Sequence, residues 1–323
     1  MRRHHWLTML VTVILAAFAF TACGDDDEDE GGGGGGDAAA GTIERNPANA
    51  KIPITVGSKN FTEQKVLGEI YAQGLEAAGF KVEKQLNLGD ELSALKALET
   101  KEIDGYPEYT GTALGSFFKV DSDKIPDDEQ KAFEQAKAGF AEKGLTAYPP
   151  TPFTNSNEVG VTQETAEELG LEKISDLEGE SENLVLFGTP ECRQRNDCLL
   201  GLEGVYGLKF KDFKAVDPAL RHEVLTKGQA DLSIVYTTDP QIKREKFVLL
   251  EDDKGMFPPY NSTFVVRNET VEEAGSDLPE VIELVQEGLT DEVMQELNAR
   301  VDLDKKTPEE VAGEYLKETG LVE

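Results

Sequence analysis

The side chains in this sequence that could do chemistry are few and widely spaced. Cysteines stand at 23, 192 and 198, and histidines at 4, 5 and 222. Only His222 lies beyond an N-terminal leader, and once Cys23 is set aside for the lipid attachment read below, His222, Cys192 and Cys198 fall short of the four ligands of a structural zinc site, so no metal is expected. No Gly-X-Ser-X-Gly turn offers a nucleophile elbow, and the carboxylates are too numerous for counting to isolate an acid–base pair. The six glycines at 31–36 satisfy a GxGxxG pattern trivially, because no strand precedes them and no helix follows to hold a pyrophosphate. Neither an enzymatic activity nor a cofactor is expected. What remains is the loop Cys192-Arg193-Gln194-Arg195-Asn196-Asp197-Cys198. In an oxidising compartment Cys192 and Cys198 are expected to close it with a disulfide, two free buried thiols being the alternative.

The N-terminus indicates that compartment. Arg2 and Arg3 precede an apolar run from Trp6 to Phe20, and Thr21 and Ala22 follow as small residues before Cys23. The run is too short for a comfortable membrane span and leads into acidic rather than basic residues, so residues 1–22 read as a cleaved signal peptide. Phe20-Thr21-Ala22-Cys23 resembles the lipobox of bacterial lipoproteins, which implies acylation of Cys23 and attachment to the outer face of the cell membrane; ordinary secretion is the alternative. Residues 23–50, acidic and then glycine-rich, lack the apolar surface to fold and are expected to form a tether. It would hold the folded part on the order of 30 Å from the anchor. The remainder of the 323 residues suffices for about two domains, and 39% apolar content can fill two modest cores. With 63 acidic and 32 basic residues, a formal charge of -31 disfavours nucleic acid and anionic lipid as partners while leaving a cationic or zwitterionic solute open. Most of that charge serves solubility.

The elements that must position a site follow an alternating pattern. Strands are predicted at 51–56, 81–88 and 103–106, with helices at 61–78 and from Asp90 through Leu98 between them. That βαβαβ order implies a parallel, helix-covered sheet. Further helices are predicted at 110–118, 127–143, 164–169 and 221–227, and further strands at 158–162, 184–187, 230–236, 247–250 and 262–267. The tail is predicted helical over 281–301 and 308–317, with Thr307 as a cap. Two α/β lobes account for this alternation.

Two motifs carry a family resemblance. Gly57-Ser58-Lys59-Asn60-Phe61-Thr62-Glu63-Gln64 follows the first strand, and Tyr106-Pro107-Glu108-Tyr109-Thr110-Gly111-Thr112 spans the end of the third. With Asp231 to Asp239, Phe257-Pro258-Pro259-Tyr260 and the segment from Glu310 to Leu321, the chain beyond residue 50 resembles the substrate-binding proteins of osmoprotectant ABC importers. The resemblance implies a two-lobed periplasmic-binding-protein fold of type II. Its two parallel-rich sheets would have flanking helices and a double-crossing hinge, with lobe I formed by 51–153 and 260–323 and lobe II by 154–259. It implies quaternary ammonium solutes such as glycine betaine, choline or carnitine as ligands and a membrane permease as partner; a monomer is expected.

A trimethylammonium group is a cation without a hydrogen-bond donor, so aromatic faces hold it best, at about 0.5 to 2 kcal/mol each. The tyrosines that match the family's cage positions are Tyr109, Tyr236 and Tyr260; any one alone would more readily be a half-buried packing residue, as Tyr71, Tyr106, Tyr148, Tyr206 and Tyr315 are taken to be. Where many relatives place another cage tyrosine, this chain has Asn157, so an amide replaces a ring and a larger betaine such as ergothioneine becomes thinkable. Glu158, next in sequence, could then offer a charge. For a ligand carboxylate the resemblance implies Lys59, Thr112, Asn155 and Arg195, with Arg193 equally available in the same loop. Lys59 also lies just ahead of a helix start, where backbone N–H groups attract anions. Ligand bridging two lobes would shift the population toward a closed form that the permease reads. Set against this are a different zwitterion such as an amino acid, a two-lobe enzyme, and a surface adhesin whose tether would suit equally well.

Overall fold

A computed structural model describes residues 41–323; the leader and Cys23 lie outside the described residues. Ten strands form two five-stranded sheets. In chain order they are β1 Pro53–Gly57, β2 Lys81–Gln85, β3 Gly105–Tyr109, β4 Leu145–Ala147, β5 Asn157–Val161, β6 Val185–Gly188, β7 Asp212–Ala215, β8 Leu232–Tyr236, β9 Val248–Leu250 and β10 Ser262–Arg267. The first sheet has the order β2-β1-β3-β10-β4 and the second β7-β6-β8-β5-β9. In each, three strands pair in parallel and the fourth position is filled by a strand antiparallel to both neighbours: β10 between β3 and β4, and β5 between β8 and β9. Both reversed strands begin just after the chain passes from one sheet to the other. The two passages run side by side, joined by an antiparallel bridge between Thr154 and Asn261 and by a bond from the Asn155 amide to the Tyr260 carbonyl at 3.2 Å.

Both sheets are covered on both faces, as parallel-rich sheets require. Along β10 the side chains alternate: Phe264 and Val266 pack with the Thr62–Ala77 helix and the C-terminal helices, while Val265 packs with the Glu91–Glu99 and Glu129–Glu142 helices. In the second sheet Ile234 and Val235 divide in the same way between two apolar clusters. The Thr62–Ala77 helix is seated by Val66, Leu67, Ile70 and Leu75, the stripe its periodicity predicts.

Three segments differ from the sequence expectation. Residues 41–50 are not the end of a tether: the Ile43 amide bonds the Leu321 carbonyl at 2.9 Å, and buried Asn49 reaches the Ala78 carbonyl and the Asp277 carboxylate. With Asn46, which also bonds Asp277, these contacts dock an otherwise small and polar stretch. The helix predicted over 281–301 is two, Asp277–Glu287 and Asp291–Asp302, because Thr290 accepts from the Val293 amide and starts a new N-terminus. The helix predicted at 110–118 begins at Thr110–Thr112 and continues as a π-helical turn, Ala113–Phe117.

Candidate functional site

Residues at or just beyond the carboxyl ends of the parallel pair β1 and β3 and of β8 in the other sheet meet at one place, together with residues of the two inter-sheet passages. Strand ends of this kind are where open α/β sheets place their ligands. A narrow cavity of about 40 Å³ occupies this junction. Lys59, Tyr109, Thr112, Asn155, Asn157, Arg195, Tyr236 and Tyr260 all line it, so the structure brings together every residue that the resemblance placed at a binding site. Phe61, Asp90, Glu91 and Glu191 line it as well. A larger and more polar cavity of about 390 Å³ lies beyond Phe61, bounded by Arg221, His222, Asp239 and Gln241, and it shares Phe61 but none of the three cage tyrosines.

The aromatic walls are held in fixed orientations. Tyr109 ends β3, its ring 6.2 Å from that of Phe61 at an interplanar angle of 22°, and its hydroxyl donates to Glu63 Oε1 at 2.7 Å. Glu63 is buried at the first turn of its helix and also accepts from Asn155 Nδ2 at 2.5 Å and Asn298 Nδ2 at 2.9 Å. Burial raises its pKa, with these hydrogen bonds opposing. Phe61 reaches across to Tyr236 of the second sheet, 5.5 Å between centroids. Tyr236 is backed by the Arg221 guanidinium 4.1 Å from its ring centre, and Arg221 and His222 both bind Asp239, which also accepts from the Tyr236 amide at 2.8 Å. Tyr260, from the second passage, donates to Asp197 and accepts from Asn157 Nδ2 at 3.2 Å. Gly111 lets the Thr110 turn approach this passage, because a Cβ there would stand 2.7 Å from the Pro259 carbonyl and 2.9 Å from the Tyr260 ring. Burial, and then the nearby Glu63 or Asp197 carboxylate, pushes the Tyr109 and Tyr260 hydroxyls well above the usual phenol range, and burial lifts Tyr236 to about 12, so all three remain neutral rings.

The cations are less free than the sequence suggests. Lys59 Nζ lies 4.7 Å from the Tyr109 ring centre but bonds Glu108 Oε1 at 2.5 Å, and both partners are buried. Cys192 and Cys198 are joined in a disulfide with Cα atoms 5.2 Å apart, and the loop they close separates its two arginines. Arg193 turns away, lying 4.6 Å over the Phe213 ring and donating to the Phe213 carbonyl. Arg195 turns inward, where both its Nε and a terminal nitrogen bond Asp197, while another nitrogen lies 3.6 Å from Glu91. Burial would raise the pKa of Asp197, but the Arg195 guanidinium overcomes it and holds the carboxyl below its ordinary range. Asn157 is spent on structure, its amide bridging the Tyr260 hydroxyl and the Asp197 carbonyl. Glu158 does not face the cavity: successive residues of β5 point to opposite sides, and its carboxyl lies near Asp252 instead.

Sequence reasoning missed four contributors. Phe61 and Glu63 sat within a quoted motif, and that was a signal left unused. Arg221 and Glu91 carried no signal, since each is one charged residue among many until the fold chooses its neighbours. Among the described residues no group of histidine, cysteine and carboxylate side chains could hold a metal ion.

Residues 52–318 match the family described as the substrate binding domain of the ABC-type glycine betaine transport system. The chain belongs to that family. It is the substrate-binding component of a transport system and not an enzyme, and it works on the extracytoplasmic side of the membrane. It is 35% identical over 297 residues to a glycine-betaine-binding protein of Pseudomonas aeruginosa, covering 88% of this chain and 94% of that one. It is 31% identical over 281 residues to an ergothioneine transport permease/ergothioneine binding protein of Helicobacter pylori, covering 86% of this chain and 50% of that longer one. A solved structure of a glycine betaine/carnitine/choline ABC transporter, 27% identical, superposes with a TM-score of 0.66 over 82% of this chain and 98% of its own. These likenesses agree with the two mixed, helix-flanked sheets of the type II binding-protein fold. Among the described residues no helix is long and apolar enough to cross a membrane.

Proposed function

We propose that the cavity between the sheets receives the ammonium headgroup of a quaternary amine, with Tyr109, Tyr236 and Tyr260 as its cage and Phe61 as a fourth ring. The observation that carries this reading is the convergence of three tyrosines, from β3, β8 and the second inter-sheet passage, on one cavity. Rings held neutral and pinned through their hydroxyls or backbones offer a preorganised negative quadrupole, which costs little ordering when a cation arrives. At about 40 Å³ the cavity has room for a few waters, so a trimethylammonium group enters by parting the sheets. The paired passages at Thr154 and Asn261 are the natural hinge, with residues 154–259 moving as one lobe against the rest. Asn155 and Thr112 supply polar contacts at the edge of the cage, while Arg195 and Lys59 shape its walls through their carboxylate partners. An ABC permease reads the closed form, and acylated Cys23 anchors the receptor, which acts as a monomer.

The test is titration of the mature protein with quaternary amines, followed by thermal shift. Tyr236→Ala removes a ring worth about 0.5 to 2 kcal/mol and weakens binding by roughly 2- to 30-fold, while choline or glycine betaine is recovered unchanged. An undiminished shift in the variant would remove Tyr236 from the cage. Ergothioneine is the second reading; the 31% identity to the Helicobacter protein supports it, and the same titration includes it.

A further inference from the structure

We propose that Gln241 and Asp302 are positioning residues for lobe closure, part of a latch outside the ligand cavity that holds the shut form together and so sets how firmly a solute is kept. The proposal rests on the cage and hinge reading above, with residues 154–259 as the moving lobe. Gln295, Asn298 and Asp302 are spaced by three and four residues, which puts them on one face of the Asp291–Asp302 helix. All three meet the stretch that follows β8 in the other lobe. Gln295 Nε2 donates to the Thr237 carbonyl at 3.3 Å, Asn298 Nδ2 to the Thr238 carbonyl at 3.3 Å, and Gln241 Nε2 to Asp302 Oδ2 at 3.0 Å. Asp302 is fixed within its own lobe, because its other oxygen accepts from Thr62 Oγ1 at 2.7 Å. None of these residues lines the cavity of about 40 Å³, so they act on closure without touching the solute.

Their link to the cage is short. Thr237 follows Tyr236, and Asn298 Nδ2 also donates at 2.9 Å to Glu63, the carboxylate that holds the Tyr109 hydroxyl. Parting the lobes breaks the crossing bonds and withdraws Tyr236 from Phe61 in one movement. The seam is also close to balance. Gln241 and Asn298 are buried, and their carbonyl oxygens, Oε1 and Oδ1, have no hydrogen-bond partner. Flipping either amide would set oxygen against oxygen, since each nitrogen already faces acceptors. A buried acceptor without a partner opposes closure, and water satisfies it on opening. Bonds that favour the shut form thus sit beside orphans that oppose it, which leaves the decision to a ligand whose contacts exist only when the lobes meet.

Position 241 separates the two contributions. Gln241→Lys keeps a donor for Asp302 and has no acceptor to strand, whereas Gln241→Glu keeps only acceptors and sets like charge against Asp302. Rapid-mixing kinetics and calorimetric titration of the mature protein with choline and glycine betaine should show Gln241→Glu binding roughly 5- to 30-fold more weakly, chiefly through faster release. Gln241→Lys should bind at least as tightly as the unaltered protein and release more slowly. Small-angle X-ray scattering without solute should give Gln241→Glu a larger radius of gyration than Gln241→Lys. Gln295→Ala, at an exposed position of the seam, should speed release about 2- to 5-fold, and it decides the matter if Gln241→Glu does not fold. Equal effects of the Lys and Glu substitutions, or release from Gln295→Ala at the unaltered rate, would overturn the latch while leaving the cage intact. If the unaltered protein binds neither solute, the cage reading falls, and the latch stands or falls on the scattering difference.

Discussion

Glu63 offers the sharpest test of how the cage is held. Its buried carboxylate accepts from Tyr109, Asn155 and Asn298, which belong to β3, the first inter-sheet passage and the Asp291–Asp302 helix. Glu63→Ala leaves a phenol and two amides without that acceptor in a buried site. Each orphaned donor costs about 1 to 3 kcal/mol. The vacated space is polar and large enough to admit water, which satisfies part of the deficit. A net loss of about 3 to 5 kcal/mol follows. At ~2 to 4 °C per kcal/mol for a chain of this size, the melting temperature falls on the order of 10 °C. Circular dichroism melts at neutral pH measure it, with urea midpoints as a second estimate. Glu63→Gln, which keeps the volume and one acceptor, should lose about half as much. If Glu63→Ala melts within about 2 °C of the unaltered protein, the three donors have found other partners and Glu63 does not tie these segments together.

Two further outcomes are expected. Burial, reinforced by the Asp252 carboxylate, lifts the pKa of Glu158 from 4.5 to about 7. The folded state therefore keeps a proton that the unfolded chain releases, so this group's contribution is fully present below about 4.5 and is lost as pH rises toward 7. Glu158→Gln removes that dependence and should stabilise the protein by roughly 1 to 3 kcal/mol at pH ~8 with little effect at pH ~4.5; equal urea shifts at both pH values would show that Glu158 is not the titrating group. For the anchor, Cys23→Ser should release the protein from membranes into the soluble fraction, and persistence in the membrane fraction would point to a different tether.

Much of the fold was legible because local chemistry determines it. Apolar residues at helical spacing from Val66 to Leu75, the Asp90 cap and the β10 alternation each encode one element through its nearest neighbours in sequence. The break at Gly288 to Thr290 was passed over because both flanking helices keep apolar faces, although Gly288 as a C-cap and Thr290 as an N-cap mark the boundary locally. The docking of Ile43 and Asn49 escaped for a different reason: their partners, Leu321, Ala78 and Asp277, are far away along the chain.

The sequence by itself determined the alternating α/β elements, the cysteine loop and, through family-like motifs, which residues gather at the cavity. Only the tertiary structure decided how those residues are used. A charge has no partner in sequence: that Lys59 meets Glu108, that Arg195 reaches Glu91 while Arg193 turns onto Phe213, and that Asn157 is consumed by Tyr260 follow from distances of 3 to 5 Å or less between segments the chain keeps apart. Electrostatic energy depends on those distances and on burial, and neither is written in residue order.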